Sequence, residues 1–84
     1  MNKRIFVYNA KKKLCFREAA KIMANYETLG IRMEFIANNK EGSTDSILSL
    51  LKLGIIKDTR VVIIAHGNDM TASDNAIRSV IAII

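Results

Sequence analysis

Ile31-Arg32-Met33-Glu34-Phe35-Ile36-Ala37-Asn38-Asn39-Lys40-Glu41-Gly42-Ser43 decides the fold. Ile31, Met33 and Phe35 alternate with Arg32 and Glu34, the period-two pattern of a half-buried strand. Asn38-Asn39 is a turn, because Asn tolerates the positive φ that a tight hairpin needs. Lys40 to Ser43 then reads as a short return strand. Hairpin-type strands joined by short loops favour an antiparallel sheet with helices packed on one face.

On the N-terminal side, Ile5-Phe6-Val7-Tyr8 is β-branched and aromatic and reads as a strand, followed by a polar loop from Asn9 to Lys13. From Phe16 to about Glu27 the pattern turns helical. Ala19, Ala20, Met23 and Tyr26 or Ala24 fall on one side, and Arg17, Glu18, Lys21 and Asn25 on the other. Leu29-Gly30 stops that helix, with the glycine just past its end.

On the C-terminal side, Ser43, Thr44 and Asp45 offer N-caps for a short helix. Its apolar side is Ile47, Leu48, Leu50 and Leu51, and Gly54 ends it. Val61-Val62-Ile63-Ile64-Ala65 is the strongest strand, and His66-Gly67-Asn68-Asp69 turns the chain. Ala76, Ile77, Val80, Ile81 and Ile84 mark a final helix on a 3.6-residue period, with Asp69 and Thr71 as its caps. Met23, Met33 and Met70 suit core or edge packing, and His66 a surface or turn position. The predicted order is βαββαβα.

Composition narrows the function classes. The chain has 84 residues, read as one domain spanning 1–84, with 50% apolar and 25% charged residues. That apolar share is too high for a disordered tail. The single cysteine excludes an internal disulfide, and Cys15 and His66 alone cannot build a structural zinc site. No apolar run approaches the ~20 residues of a membrane span. Met1-Asn2-Lys3-Arg4 is basic, but Ile5 to Tyr8 is too short for a signal-peptide core, so a cytoplasmic protein is expected. The net charge of +5 permits nucleic-acid binding. Only Lys11-Lys12-Lys13 is a basic run, however, and no aromatics interleave with it. A nucleic-acid module would need stacking aromatics on the exposed sheet face, and only Phe6 and Tyr8 alternate on a strand.

The run Ser46-Ile47-Leu48-Ser49-Leu50-Leu51-Lys52-Leu53-Gly54 resembles the second-helix signature of HPr, the histidine-containing phosphocarrier of the bacterial sugar phosphotransferase system. Val61 to Ala65, the turn Gly67-Asn68-Asp69, the chain length and the element order are similar as well. The resemblance implies an open-faced α+β sandwich, a four-stranded antiparallel sheet with three helices on one face. It also implies that the first and last strands lie side by side in the middle.

In HPr the loop into the first helix carries a Gly-Leu/Ile-His-X-Arg-Pro-Ala pattern, whose histidine accepts a phosphoryl group from enzyme I and whose arginine helps hold it. The matching stretch here is Lys13-Leu14-Cys15-Phe16-Arg17-Glu18-Ala19. Leu14, Arg17 and Ala19 fit. Cys15 stands at the phosphoacceptor position, Lys13 at the glycine and Glu18 at the proline. A helix N-terminus with Arg17 and Lys11 to Lys13 around it favours a thiolate or a phosphoryl group. Glu18 favours the helix dipole but repels phosphate. Cys15 therefore reads as a phosphoryl acceptor, as a redox-modifiable thiol, or as a small loop residue without chemistry.

By the same resemblance Ser46 is a regulatory site, phosphorylated by an ATP-dependent serine kinase and then bound by a LacI-type regulator in catabolite repression. Its own chemistry also makes it an ordinary helix cap. Asp45 directly before it opposes a phosphoserine, or mimics one permanently. Partner contacts are expected from Lys12, Lys13, Phe16, Lys21 and Ser49, toward acidic enzyme I, and from the apolar Ile47, Leu48 and Leu51. The expected partners are phosphotransferase-system proteins such as enzyme I or the sugar-specific A components. No cofactor, metal or membrane is expected. The reading is a specialised or regulatory relative of the phosphocarrier rather than the bulk carrier for sugar transport.

Overall fold

The computed structural model describes residues 3–84, so Met1 and Asn2, the start of the basic N-terminal stretch, lie outside the described residues. The elements run β1 (Lys3–Asn9), α1 (Phe16–Leu29), β2 (Arg32–Ala37), β3 (Lys40–Ser43), α2 (Ile47–Leu51), β4 (Arg60–His66) and α3 (Met70–Ile83). The strands form one sheet in the order β1-β4-β2-β3, with every neighbouring pair antiparallel. The helices cover one face, giving the expected open-faced βαββαβα sandwich.

The deciding hairpin forms as its residues dictate. Asn38 and Asn39 both adopt positive φ, 54° and 63°, which matches the right-handed twist of the two strands they join. The Asn38 side-chain amide also donates to the carbonyls of Leu53 (2.8 Å) and Gly54 (3.1 Å), pinning the turn to the chain beyond α2. At Gly42 a Cβ would fall 2.7 Å from the Ser49 carbonyl oxygen, so β3 must lack a side chain there for α2 to pack on it. Gly30 closes α1 in the left-handed region, its N–H donating to the Tyr26 carbonyl at 2.8 Å.

Alternation sorts the sheet. Met33 and Phe35 of β2 lie beside Ala65 and Ile63 of β4, facing the helices, and all four are buried. Ala19 and Ile22 of α1, Leu50 of α2 and Ala76, Ile77 and Val80 of α3 close the core over them. Ile22, fully buried, carries more of the α1 contact than the half-buried Ala20 and Met23 on its predicted face. Met33 is buried, whereas Met70 is 40% exposed at the start of α3.

Three expectations need correction. β1 is an edge strand rather than a central one: it pairs only with β4, whose other side is taken by β2. The cap of α2 is Ser46, the capping role its own chemistry offered, with its hydroxyl accepting the Ser49 N–H at 3.3 Å, and not Ser43, Thr44 or Asp45. Those three have other partners: Ser43 accepts the Asp45 N–H, buried Thr44 accepts the Met33 N–H, and Asp45 pairs with Arg32. At α3, Asp69 accepts the Thr71 and Ala72 N–H groups, so Thr71 lies inside the helix as a donor to the cap.

Candidate functional site

The loop from Ala10 to Cys15 is held by its backbone. Ala10 donates to Thr59 O (2.9 Å) and accepts from Asp58 N–H (2.7 Å). Lys11 and Lys12 both donate to the Ile84 carbonyl, at 2.5 and 3.2 Å, and Leu14 donates to Ile55 O at 3.0 Å. Ala10 and Leu14 are buried, so Lys11, Lys12 and Lys13 between them project into solvent.

Cys15 follows as the N-cap of α1, extended and exposed. The first intrahelical bond runs from Ala19 N–H to Cys15 O, at 3.0 Å. The Glu18 side chain turns back, and its Oε1 accepts the Cys15 N–H at 3.1 Å, while Lys12 Nζ lies 3.8 Å from Oε2. This is the return arm of a capping box. The Glu18 carboxyl is held below its ordinary value, chiefly by its own backbone N–H and further by the Cys15 N–H, Lys12 and Arg17. The helix start thus already hosts an anion, supplied by the chain itself. Arg17 is exposed beside it.

Ser46 opens α2 and is exposed. It is laced to its neighbours. Ser46 N–H donates to Ser43 O at 3.2 Å, and Ser49 Oγ donates to Ser46 O (2.6 Å) and accepts the Ser43 N–H (3.0 Å). The charge of Asp45 is engaged, with Arg32 Nε 2.9 Å from its Oδ2. That hydrogen bond is the main cause of the raised Arg32 pKa. Arg32 also lies 3.7 Å from Glu34, which in turn pairs with His66 across the open face of the sheet. A shallow groove beside Ser46 is lined by Arg32, Glu34, Glu41, Gly42, Ser43 and Ser49.

The expected partner residues divide by exposure. Phe16 is 65% and Leu48 63% exposed, on two helices that pack against each other. Lys12, Lys13 and Lys21 are exposed, whereas Ile47 and Leu51 are partly buried against the core and Ser49 is half-buried. Cys15 and Ser46 share a setting, each capping a helix, but no hydrogen bond or ion pair joins them among the described residues.

Sequence reading missed the chain from Asp45 through Arg32 and Glu34 to His66. Period two puts Arg32 and Glu34 on one face, but His66 joins them only through the β2–β4 register, in which Arg32 lies opposite His66. Phe6 and Tyr8 lie opposite Ile63 and Val61 on the helix side, so among the described residues the open face carries no Phe or Tyr on which bases could stack. No helix among the described residues is long and apolar enough to cross a membrane.

Comparison with known proteins agrees with this architecture. The phosphocarrier protein HPr of Bacillus anthracis superposes with a TM-score of 0.80 at 18% identity, over 98% of this chain and 96% of that one. HPr-C-His from Thermoanaerobacter tengcongensis gives 0.69 at 24% identity, over 100% and 91%. The histidine-containing phosphocarrier protein of a Mycoplasma gives 0.71 at 27% identity, over 98% and 90%. No curated protein matches the chain in sequence. The family model for the PTS HPr component phosphorylation site matches residues 3–83. Nearly the whole described chain is spanned by that match, and the protein belongs to the HPr family of the phosphotransferase system.

Proposed function

We propose that this HPr-family domain acts in the bacterial cytoplasm as a regulatory or specialised member of the phosphotransferase system, controlled through Ser46 rather than charged through the first-helix loop. The observation that carries this reading is Glu18 on the Cys15 N–H. An HPr phosphoacceptor sits at a helix start whose free N–H groups receive the phosphoryl oxygens. Here a cysteine occupies that position and a carboxylate already takes one of those donors. A phosphoryl group arriving at Cys15 meets a standing negative charge.

The Ser46 side supports the regulatory arm. Its hydroxyl is exposed, and the carboxylate before it is neutralised by Arg32. The flanking Leu48 offers an apolar contact to a partner. An ATP-dependent serine kinase and a LacI-type regulator are the proposed partners of this arm. Enzyme I and sugar-specific A components are those that Lys12, Lys13, Lys21 and Phe16 would meet.

The test uses two phosphoryl donors. Incubation with ATP and an HPr serine kinase should label the protein at Ser46, with the label lost in Ser46→Ala and kept in Cys15→Ala. Incubation with enzyme I and labelled phosphoenolpyruvate should leave it unlabelled. Label from phosphoenolpyruvate that disappears in Cys15→Ala would overturn the proposal in favour of a cysteine phosphocarrier.

A further inference from the structure

A groove of about 430 Å³ lies between β1 and α3. Its apolar lining includes Phe6, Ile77 and Ile81, and its charged lining is Arg4, Asp74 and Arg78. It opens along the outer side of β1, an edge strand with which, among the described residues, only β4 pairs. An antiparallel ladder leaves the N–H and C=O groups of every second residue on that outer side. Ile5, Phe6 and Val7 in the middle of the strand are 63%, 42% and 45% exposed.

The charges at this edge are out of balance. Arg4 holds Asp74 with contacts of 2.7 and 2.9 Å. The Asp74 carboxyl lies below its ordinary value, chiefly through the Arg4 bond and further through the field of Arg78, so one carboxylate serves two arginines. Arg78 and Lys3 are exposed, and neither has a hydrogen bond or an ion pair among the described residues. The edge and its groove therefore carry three cations against one anion, on a chain whose net charge is +5. Those cations repel a second copy of this chain and attract carboxylates.

We propose that this edge receives an extended acidic segment of another protein, which adds to the sheet as a strand beside β1. Backbone groups of the segment pair with the outer side of β1, the mode by which strands are added to open sheets. Alternate side chains then fall on the two faces of the sheet. Those on the helix side enter the groove, where Phe6, Ile77 and Ile81 take apolar groups and Arg78 a carboxylate. Those on the other side meet Ile5, Val7 and, at the strand start, Lys3. Every strand pair of this sheet is antiparallel, and the added one continues that pattern. The acidic residues then belong to the C-terminal end of the segment, which lies over Lys3 and Arg4. The site uses neither Cys15 nor Ser46, so it stands or falls apart from the function proposed for them.

The probe is an end-blocked peptide of five alternating valines and threonines followed by three glutamates. It is titrated into the isotopically labelled protein and followed by amide chemical shifts. One added strand is a small interface, so a dissociation constant on the order of 0.1 mM is expected. Shifts should concentrate in β1 and along α3 from Asp74 to Ile81, and affinity should fall as salt is raised. Lys3→Glu and Arg78→Glu change exposed side chains and should each weaken binding about threefold or more. Lys52→Glu makes the same charge change at the end of α2, which packs on the opposite edge strand, and should leave binding within about twofold. The same peptide N-methylated throughout cannot donate backbone hydrogen bonds and should not bind. Absence of binding at millimolar peptide overturns the proposal, as do shifts confined to α1 and α2. Equal losses in all three variants would reduce the effect to net charge, and retained binding of the N-methylated peptide would exclude an added strand.

Discussion

Glu18 Oε1 accepts the backbone N–H of Cys15 at 3.1 Å, tying the third residue of α1 back to the residue that begins it. The bond makes the candidate site and the stability of the helix start one object, with an acid-dependent consequence. The folded pKa of Glu18 is lowered, so its contribution is present above the unfolded carboxylate value and is lost as pH falls through the folded one. Glu18→Gln should therefore lower the melting temperature by a few degrees at neutral pH, with the difference shrinking below about pH 4. Thermal melts at stepped pH check it. A gap that persists at the lowest pH would rule out the carboxylate as its source.

Thr44 is fully buried and accepts the Met33 N–H at 3.1 Å. Thr44→Val keeps the shape and strands that donor in the core, which costs about 1–3 kcal/mol. Urea unfolding should show the loss as an earlier midpoint with an unchanged slope.

At Gly42 the obstacle is backbone, since an added Cβ would sit 2.7 Å from the Ser49 carbonyl oxygen and 2.9 Å from its carbon. Gly42→Ala should cost about 1–3 kcal/mol, as overpacking does. It should also shift the amide resonances of Ser46 to Leu50, because α2 must lift from β3.

Leu48 and Leu50 are two residues apart and opposite in role, 63% and 0% exposed. Leu50→Ala should destabilise by about 2–5 kcal/mol. Leu48→Ala should change stability by less than about 0.5 kcal/mol and act on partner binding instead. Equal losses in denaturant melts would contradict the assignment of Leu48 to a contact surface.

Much of the fold was legible because local chemistry decided it. Asn38-Asn39 suits a tight hairpin, and the alternation of β2 shows which of its faces is buried, whereas the continuous apolar run of β4 does not. The position of β1 was not legible, since Ile5 to Tyr8 identifies a strand without saying how many neighbours it has. The cap of α2 was ambiguous for a related reason. Ser43, Thr44, Asp45 and Ser46 are all capping types, and the choice fell to Ser46 once Met33 and Arg32 had claimed Thr44 and Asp45. At the candidate site, Cys15 and Ser46 could be found from sequence at helix starts. What surrounds them could not. Arg32 and Asp45 are thirteen residues apart, and Glu34 and His66 thirty-two, and no local periodicity links either pair.

The bonds from Lys11 and Lys12 to Ile84 join the loop before Cys15 to the end of α3, seventy-odd positions away. Helix ends fray before helix middles, so the opening of the last turn of α3 also frees the Lys11 and Lys12 amides, while Ala10 and Leu14 keep their bonds to Thr59 and Ile55. The amide protons of Lys11 and Lys12 should exchange with solvent at least as fast as that turn opens. The hold of Val80 and Ile84 on the core thus bears on the middle of the loop that leads to Cys15, at Lys11 and Lys12.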